Sequence, residues 1–174
     1  PEEVKGLLLA CGASKNTQLR SIISLLLLTG ARVSELLNAE WRHVDVARKA
    51  WLIPMSKTGK HRHVPLSQAA LDIIEELPRF DDCPYLVPNP KTLLPFTEMK
   101  RAWDTARTAA GLSDVRIHDL RHSAASFMIN AGIDLFAVGK VLGHADHQST
   151  MKYAHLANDT LLAAVEAGAK QMTG

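Results

Sequence analysis

The sequence has 174 residues, of which 47% are hydrophobic and 22% are charged. This balance is typical of one globular domain with a real core, or of a domain with a small appendage, and it excludes a disordered chain. The longest apolar run, residues 25–28 extended back by Ile22 and Ile23, is too short to span a bilayer, and we find no signal peptide.

The two cysteines, Cys11 and Cys83, are isolated and form no CxxC pair. They favour a reduced, cytoplasmic protein over a secreted one. The chain begins at Pro1 and not at a methionine, so we expect an excised domain with further residues before it.

The small net charge of +2 is unevenly distributed. Residues 42–65 hold six basic side chains and one acid, Asp45, so this segment carries +5 and the rest of the chain about −3. Phosphate binding needs such a concentration of charge, although a solvated basic hairpin would show it too. The basic residues are Arg42, Arg48, Lys49, Lys57, Lys60 and Arg62.

The first third of the chain predicts three helices. Acids in the first turn after Pro1 start the first helix, and Gly12 ends it. Apolar residues at helical spacing predict a second helix that ends at Gly30. A short third helix carries Arg32 and Glu35. Because they lie three residues apart on one face, the carboxylate can orient the guanidinium.

The pattern then changes to that of strands. Residues 50–54 and 61–65 predict a small antiparallel hairpin around a turn at 56–59. This arrangement places Lys57 and Lys60 near the tip of the hairpin.

The remainder predicts helices again. Ser67 can cap a helix that runs to about residue 77, and a proline-rich connection follows. Further helices are predicted at residues 97–110, 118–131, 134–142, 147–154 and 158–170. The fold class is therefore mainly α with a small antiparallel β-sheet.

Two arginines and one tyrosine suggest phosphate chemistry. Arg32 and Arg121 lie far apart in sequence, so only tertiary folding can bring them together to grip a phosphodiester through paired, charge-assisted hydrogen bonds. Tyr153 lies in a short polar stretch after a Gly-His turn, where its hydroxyl can meet a ligand and attack phosphorus. The other tyrosine, Tyr85, lies in the proline-rich connection and is interpreted as a packed loop aromatic.

Histidines near these residues allow two interpretations. His118 and His122 lie one turn apart and resemble two metal ligands on a helix. The zinc-protease motif, however, needs Glu directly after the first histidine, and Asp119 stands there. Proton transfer and phosphate contact suit the histidines better, so we expect no metal and no cofactor.

Five motifs in order resemble those of the tyrosine recombinases, in particular phage-type integrases and Xer-like recombinases. The resemblance covers nearly the whole chain, from Glu2 to about Ala164. The motifs are Thr-Gly-Ala-Arg-Val-Ser-Glu-Leu with Arg32, Ser-Lys-Thr-Gly-Lys-His-Arg-His-Val-Pro-Leu with Lys57, His118-Asp119-Leu120-Arg121-His122, Leu142-Gly143-His144 and Tyr153-Ala154-His155.

The resemblance implies a DNA breaking-and-rejoining fold with a three-stranded sheet, and a role for each matched residue. Tyr153 would be the nucleophile that forms a 3′-phosphotyrosyl link. Arg32 and Arg121 would bind the non-bridging oxygens of the phosphate.

The other matched residues would assist these three. His118 would aid proton transfer from the tyrosine, and His144 would contact the phosphate. Lys57, with Lys60 as its rival, would protonate the leaving 5′ oxygen. Glu35 would support the first arginine. From the basic segment at residues 42–65, Arg42, Lys60 and Arg62 are expected to contact DNA.

The resemblance also implies how the protein is organised. Residues 1–174 would form the catalytic domain, without the N-terminal core-binding domain of such enzymes. Double-stranded DNA would be the partner, with a homotetramer on paired DNA sites and a monomer when the domain is isolated. We expect a bacterial or phage-encoded cytoplasmic protein associated with the nucleoid. The alternatives are relaxation of DNA, as by a type IB topoisomerase, and a catalytically silent DNA-binding module.

Overall fold

The computed structural model describes residues 2–54, 61–144 and 148–157, with the isolated positions 165 and 169. The described part is mainly helical with one small antiparallel sheet, which confirms the predicted fold class. The α-helices are α1 (Glu2–Gly12), α2 (Leu19–Thr29), α3 (Val33–Leu37), α4 (Gln68–Glu75), α5 (Lys100–Ala109), α6 (Asp119–Asn130), α7 (Leu135–Leu142) and α8 (Gln148–Met151). The strands are β1 (Val44–Asp45), β2 (Ala50–Ile53) and β3 (Arg62–Pro65).

Helix α2 forms the centre of the fold, and it packs against α1, α3, α4 and α6. Its apolar stripe is almost fully buried, as its helical spacing predicts. The helix ends where predicted, at Gly30, which adopts a left-handed conformation with φ of 62° and donates its N–H to the Leu26 carbonyl. Arg32 caps α3 and does not lie inside it, so the third helix begins one residue later than expected.

The sheet contains the predicted hairpin and one strand more. Strands β2 and β3 pair antiparallel with Trp51 opposite Val64, and β1 adds to the other edge of β2. Trp51, Ile53 and Val64 are buried, so one face of the hairpin packs on the core. The predicted turn, with Lys57 and Lys60, lies outside the described residues.

Side-chain caps set the starts of two helices. The Ser67 hydroxyl accepts from the Ala70 N–H at the start of α4, as predicted. Asp134 accepts from the N–H groups of Phe136 and Ala137, so it caps α7 instead of forming its first turn.

The helix predicted for residues 147–154 is interrupted. Helix α8 ends at Met151, and a 3₁₀-helix at Ala154–Ala157 follows, so Tyr153 lies in the turn between them. The Tyr153 N–H donates to the Thr150 carbonyl across this turn. The helix predicted for residues 158–170 falls, apart from positions 165 and 169, outside the described residues.

Most buried apolar residues in the described part of the chain belong to one of two clusters. The large cluster joins α1–α5, the sheet and Leu120 of α6. The small cluster lies between α6, α7 and the turn after α8, and its buried members are Ala125, Ile129, Val138, Leu142 and Tyr153. Among the residues described, none of the helices is long and apolar enough to cross a membrane.

Candidate active site

An ion-paired cluster of two arginines and one carboxylate lies at the start of α3. Glu35 accepts from the Arg32 backbone N–H and from the Arg32 Nη1, both at 2.8 Å. The same carboxylate accepts from Arg62 Nη2 on β3 at 2.7 Å. The Glu35 side chain is 6% exposed and that of Arg62 is 12% exposed, so the cluster is largely removed from water.

Glu35 remains ionised in this environment. Burial alone would raise its pKa, but the hydrogen bond from the Arg32 backbone and the charge of Arg62 together hold the pKa below its ordinary value. One ionised carboxylate therefore pairs with two guanidinium groups, and the cluster keeps a net positive charge. The Arg32 side chain keeps 21% of its surface exposed, so it can still accept a ligand.

Arg121 is fixed by main-chain carbonyls from two other elements. Its Nη1 donates to the Gly30 carbonyl at 2.5 Å, and its Nη2 donates to the Leu142 carbonyl at 2.7 Å. Burial, with the nearby charges of Arg32 and Arg62, lowers the pKa of Arg121 to about 10. The guanidinium still carries its charge at neutral pH. The structure thus brings Arg32 and Arg121 into one electrostatic environment, with unbalanced positive charge that an anion would relieve.

Two glycines permit this close assembly. Gly30 and Gly143 both have positive φ, 62° and 69°. A Cβ on Gly30 would lie 2.6 Å from Leu142 Cδ2, and one on Gly143 would lie 2.6 Å from Arg62 Nε. The end of α7 can therefore lie directly against both the α2–α3 turn and Arg62.

Tyr153 lies in the same environment, with its hydroxyl oxygen 2.5 Å from His122 Nδ1. Burial raises the pKa of Tyr153, and the charge of Arg121 partly opposes that effect. Burial and the charge of Lys152 lower the pKa of His122. Both shifts favour the neutral forms of tyrosine and histidine.

The two other histidines of the motifs occupy different positions. His144 follows the left-handed Gly143 at the end of α7, and its Nδ1 lies 2.7 Å from the Thr150 hydroxyl oxygen. His118 is the exposed residue before α6, and its side chain makes no capping hydrogen bond. His144 therefore borders the turn that holds Tyr153, whereas His118 faces solvent.

The basic residues expected to bind DNA are spread over different environments. Arg42 is exposed and pairs with Glu40 at 2.7 Å, as a surface residue would. Arg62 points inward and joins the ion-paired cluster, where its Nη1 also donates to the Val141 carbonyl at 2.7 Å. Lys57 and Lys60 lie outside the described residues.

Two contacts of the site were not anticipated from the sequence. The sequence favours proton transfer or phosphate contact over metal binding for His122 and predicts a DNA contact for Arg62, but it does not predict their contacts with Tyr153 and Glu35. The position of His122, directly after Arg121 in a motif already tied to phosphate chemistry, was the available signal. Within the described ranges, no group of three or more His, Cys, Asp or Glu residues is arranged to hold a metal ion.

Known proteins share this sequence pattern. The model of the phage integrase family matches residues 1–160. Tyrosine recombinase XerC of Staphylococcus aureus (strain USA300 / TCH1516) is 33% identical over 157 residues, which cover 85% of this chain and 52% of that protein. The chain thus spans about half the length of the curated relatives it matches.

Solved structures share the fold. The catalytic domain of bacteriophage HP1 integrase superposes with a TM-score of 0.74 at 28% identity, over 94% of this chain and 90% of that one. XerH recombinase bound to a palindromic difH substrate, in a post-cleavage complex, gives 0.72 at 23% identity, over 95% of this chain and 51% of that one. Since the family model matches most of its length, the chain belongs to the phage integrase family of tyrosine recombinases.

Proposed function

We propose that this chain is the catalytic domain of a site-specific recombinase that cuts and rejoins DNA through a covalent link to Tyr153. The observation that carries the proposal is the position of the Tyr153 hydroxyl, which contacts His122 and lies within the electrostatic reach of the partly buried Arg121. A nucleophile beside fixed positive charge is what attack on a phosphodiester requires.

In the proposed reaction the Tyr153 oxygen attacks the scissile phosphorus. The tyrosine–phosphorus bond forms, the bond to the 5′ oxygen breaks, and a 3′-phosphotyrosyl link with a free 5′-hydroxyl results. Arg32 and Arg121 bind the non-bridging oxygens, where negative charge increases in the transition state. Because Glu35 and the main-chain carbonyls already orient these guanidinium groups, little reorganisation is needed when the charge develops.

The covalent link removes the need for an external energy source. It preserves the phosphoester, so a 5′-hydroxyl can attack it and rejoin the strand without ATP. Fixed arginines take the place of a metal as charge stabilisers, and His144 adds a phosphate contact at the end of α7. We therefore propose no cofactor.

The leaving 5′ oxygen needs a proton, and we propose Lys57 as its donor, with Lys60 as the rival. Lys57→Ala should be slow on an ordinary phosphodiester. It should recover when the bridging 5′ oxygen is replaced by sulfur, because a thiolate leaves without protonation. Rescue of Lys60→Ala and not of Lys57→Ala would transfer the role to Lys60.

DNA is the proposed partner. XerH and the Tn1549 integrase are both described in complexes with DNA. We propose a homotetramer on paired DNA sites and a monomer when the chain is alone, within the bacterial cytoplasm. Phosphate contacts alone should give weak, steeply salt-dependent binding, roughly micromolar near physiological salt.

Covalent trapping tests the proposed function. The wild-type chain is mixed, in EDTA, with nicked duplexes taken from the DNA that flanks its gene. The short fragment released on cleavage cannot rejoin, so a protein–DNA adduct should accumulate. Tyr153→Phe should form none while remaining folded, and Tyr85→Phe, the matched control, should form as much as the wild type.

The same experiment separates the alternatives. An equal adduct from Tyr153→Phe would overturn the assignment of the nucleophile. An adduct accompanied by relaxation of supercoiled DNA without exchange between two duplexes would favour a topoisomerase. DNA binding without any adduct would favour a catalytically silent binding module.

A further inference from the structure

Arg62 joins three elements of the fold around the candidate site. It is the first residue of β3, and its Nη2 donates to Glu35 Oε2 on α3 at 2.7 Å. Its Nη1 donates to the carbonyl of Val141 near the end of α7, also at 2.7 Å. The Arg62 side chain is 12% exposed. A guanidinium that the basic segment predicts at the DNA surface is therefore enclosed by protein partners.

Glu35 divides its two oxygens between its partners. Oε2 accepts from Arg62 Nη2 and from the Arg32 backbone N–H, at 2.7 and 2.8 Å. Oε1 accepts from Arg32 Nη1 at 2.8 Å. Because Oε2 is held from two directions, the carboxylate has one orientation, and that orientation presents Oε1 to the Arg32 guanidinium. Arg62 thus acts on the orientation of Arg32 through Glu35.

The end of α7 anchors Arg62 and Arg121 side by side. The Val141 carbonyl accepts from Arg62 Nη1 at 2.7 Å. The next carbonyl, that of Leu142, accepts from Arg121 Nη2 at 2.7 Å. The carbonyl end of a helix carries partial negative charge, so both guanidinium groups are favoured there. Arg62 therefore links the support of Arg32 to that of Arg121.

We propose that Arg62 is a positioning residue for strand cleavage, which orients Arg32 through Glu35 and makes no contact with the DNA. This inference rests on the proposed function, in which Arg32 binds a non-bridging oxygen of the phosphate. It replaces the DNA contact that the sequence predicts for Arg62. With Arg62 in place, Arg32 meets the phosphate already oriented, so its side chain needs little reordering as charge develops in the transition state.

The arrangement requires an arginine at position 62. Its two partners lie on different elements, and a planar guanidinium meets them with separate nitrogens. A lysine would keep the positive charge but offers a single nitrogen, which cannot reproduce that fixed fork. Arg62→Lys should therefore disturb the orientation of Glu35 while it leaves the net charge of the site unaltered.

The first experiment measures cleavage and DNA binding separately. At saturating enzyme, single-turnover cleavage of the nicked duplex should slow by about tenfold in Arg62→Lys and by about 10² in Arg62→Ala, as for a misplaced group of an active site. Binding is measured in a Tyr153→Phe background, so that no covalent adduct contributes. The dissociation constant of Arg62→Lys should stay within about twofold of the value without that change, because no phosphate contact is lost.

Salt dependence separates a positioning residue from a DNA contact. Each phosphate contact contributes roughly 0.9 to the slope of log K against log salt concentration. Arg62→Ala should leave this slope unchanged. Arg101→Ala, which removes an exposed arginine of α5, is the matched control and should leave both the slope and the cleavage rate unchanged. A slope lower by about 0.9 in Arg62→Ala alone would overturn the inference, because it would make Arg62 a DNA contact.

A double-mutant cycle tests whether Arg62 acts through Glu35. Glu35→Gln keeps the shape of the side chain but removes the charge that pairs with both arginines. In this background, Arg62→Lys should lower the cleavage rate by less than about threefold, because the effects of residues in one network do not add. A loss that stays at about tenfold would mean that Arg62 acts by another route, and it would overturn the inference.

The DNA-free chain provides a readout that does not depend on cleavage. Nitrogen relaxation NMR of the Arg32 Nε–H reports the mobility of its guanidinium. This mobility should rise in Arg62→Lys and stay at the wild-type level in Arg101→Ala. Circular dichroism and urea unfolding first establish that each variant is folded, and Arg62→Lys carries the test if Arg62→Ala does not fold. Unchanged mobility of Arg32 in Arg62→Lys would overturn the inference.

The outcomes separate this inference from the proposed function. If the wild type forms no adduct, the proposed function fails, and the mobility of Arg32 still decides whether Arg62 orients it. If the wild type reacts and Arg62→Lys cleaves at the wild-type rate, only this inference fails.

Discussion

The arginine side and the tyrosine side of the site are built in different ways. On the arginine side, Arg32, Arg62 and Arg121 are each held by a carboxylate or by main-chain carbonyls from distant elements. On the tyrosine side, the Tyr153 hydroxyl contacts one histidine, and the residue follows a helix of only four residues. The arginines proposed to stabilise charge are thus fixed by contacts between distant elements, whereas the proposed nucleophile follows a single short helix.

The arginine side and the tyrosine side also pack in different apolar clusters. Arg32, Glu35 and β3 rest on the large apolar cluster, whereas Tyr153 is itself a member of the small one. Arg121 links the two, because its carbonyl partners are Gly30 at the end of α2 and Leu142 at the end of α7. A shift of the small cluster therefore changes the position of Tyr153 relative to Arg32 and Arg121.

After the complete loss expected for Tyr153→Phe, the largest effect on cleavage is expected from replacing Arg32 or Arg121, the two arginines proposed to bind the phosphate. Arg32→Ala or Arg121→Ala should lower the cleavage rate by on the order of 10² to 10³, as for the loss of one preorganised donor to the transition state. Arg→Lys should recover only part of this, because lysine cannot form the two parallel hydrogen bonds of a guanidinium. Single-turnover cleavage measures both.

Arg101→Ala, which removes an exposed arginine of α5, is the matched control for loss of charge and should cleave as the wild type does. Arg121→Ala should also lower the free energy of unfolding, by about 1–3 kcal/mol, because it leaves two carbonyls without their donor. A rate near that of the wild type would place the arginine outside the site.

A smaller effect is expected from a change at Gly143, where the end of α7 contacts Arg62. Gly143 has φ of 69°, and a Cβ there would lie 2.6 Å from Arg62 Nε. Gly143→Ala should therefore lower the free energy of unfolding through both backbone strain and displacement of Arg62. We expect a loss above the roughly 1–3 kcal/mol that strain alone costs. Urea unfolding measures it.

Gly111→Ala separates the two causes, because Gly111 has φ of 74° but nothing within 4 Å of its added Cβ. Gly143→Ala should lose more stability than this control, and it alone should slow cleavage. Equal losses of unfolding free energy in the two variants would show that the Arg62 side chain moves aside at little cost. The arginine side would then be less firmly held than its contacts indicate.

The smallest expected effect is a difference in hydrogen exchange between α7, which packs in the small cluster, and α2, which packs in the large one. Backbone amides of α7 should exchange with deuterium at least about tenfold faster than the central amides of α2, because fewer of the described apolar residues are buried in the small cluster than in the large one. Hydrogen-exchange mass spectrometry of the DNA-free chain measures both segments. Equal protection would mean that the two sides open together.

The sequence predicts the local features of this site well, for a physical reason. The contact of Arg32 with Glu35 spans three residues, and the ends of α2 and α7 are marked by glycines that can adopt positive φ. Such features depend on neighbouring residues, so spacing reveals them. The fold class and the family followed from hydrophobic periodicity and from motifs in order.

Contacts between distant elements could not be predicted in this way. Arg62 and Glu35 lie 27 positions apart, and His122 and Tyr153 lie 31 apart, so only the packed chain shows that they meet. The break between α8 and the 3₁₀-helix was missed as well, because a local apolar pattern does not reveal where the Tyr153 ring enters the small cluster. The catalytic and DNA-binding roles of all the named site residues, Lys57 and Lys60 among them, remain predictions.

The most direct test of the central claim is to locate the protein–DNA bond. The adduct formed by the wild-type chain on a nicked duplex is digested with protease and nuclease, and the nucleotide-bearing peptide is identified by mass spectrometry. The account predicts a phosphotyrosyl bond at Tyr153 to the 3′ end of the cut strand. A bond at Tyr85, at another residue or at the 5′ end of the strand would contradict it.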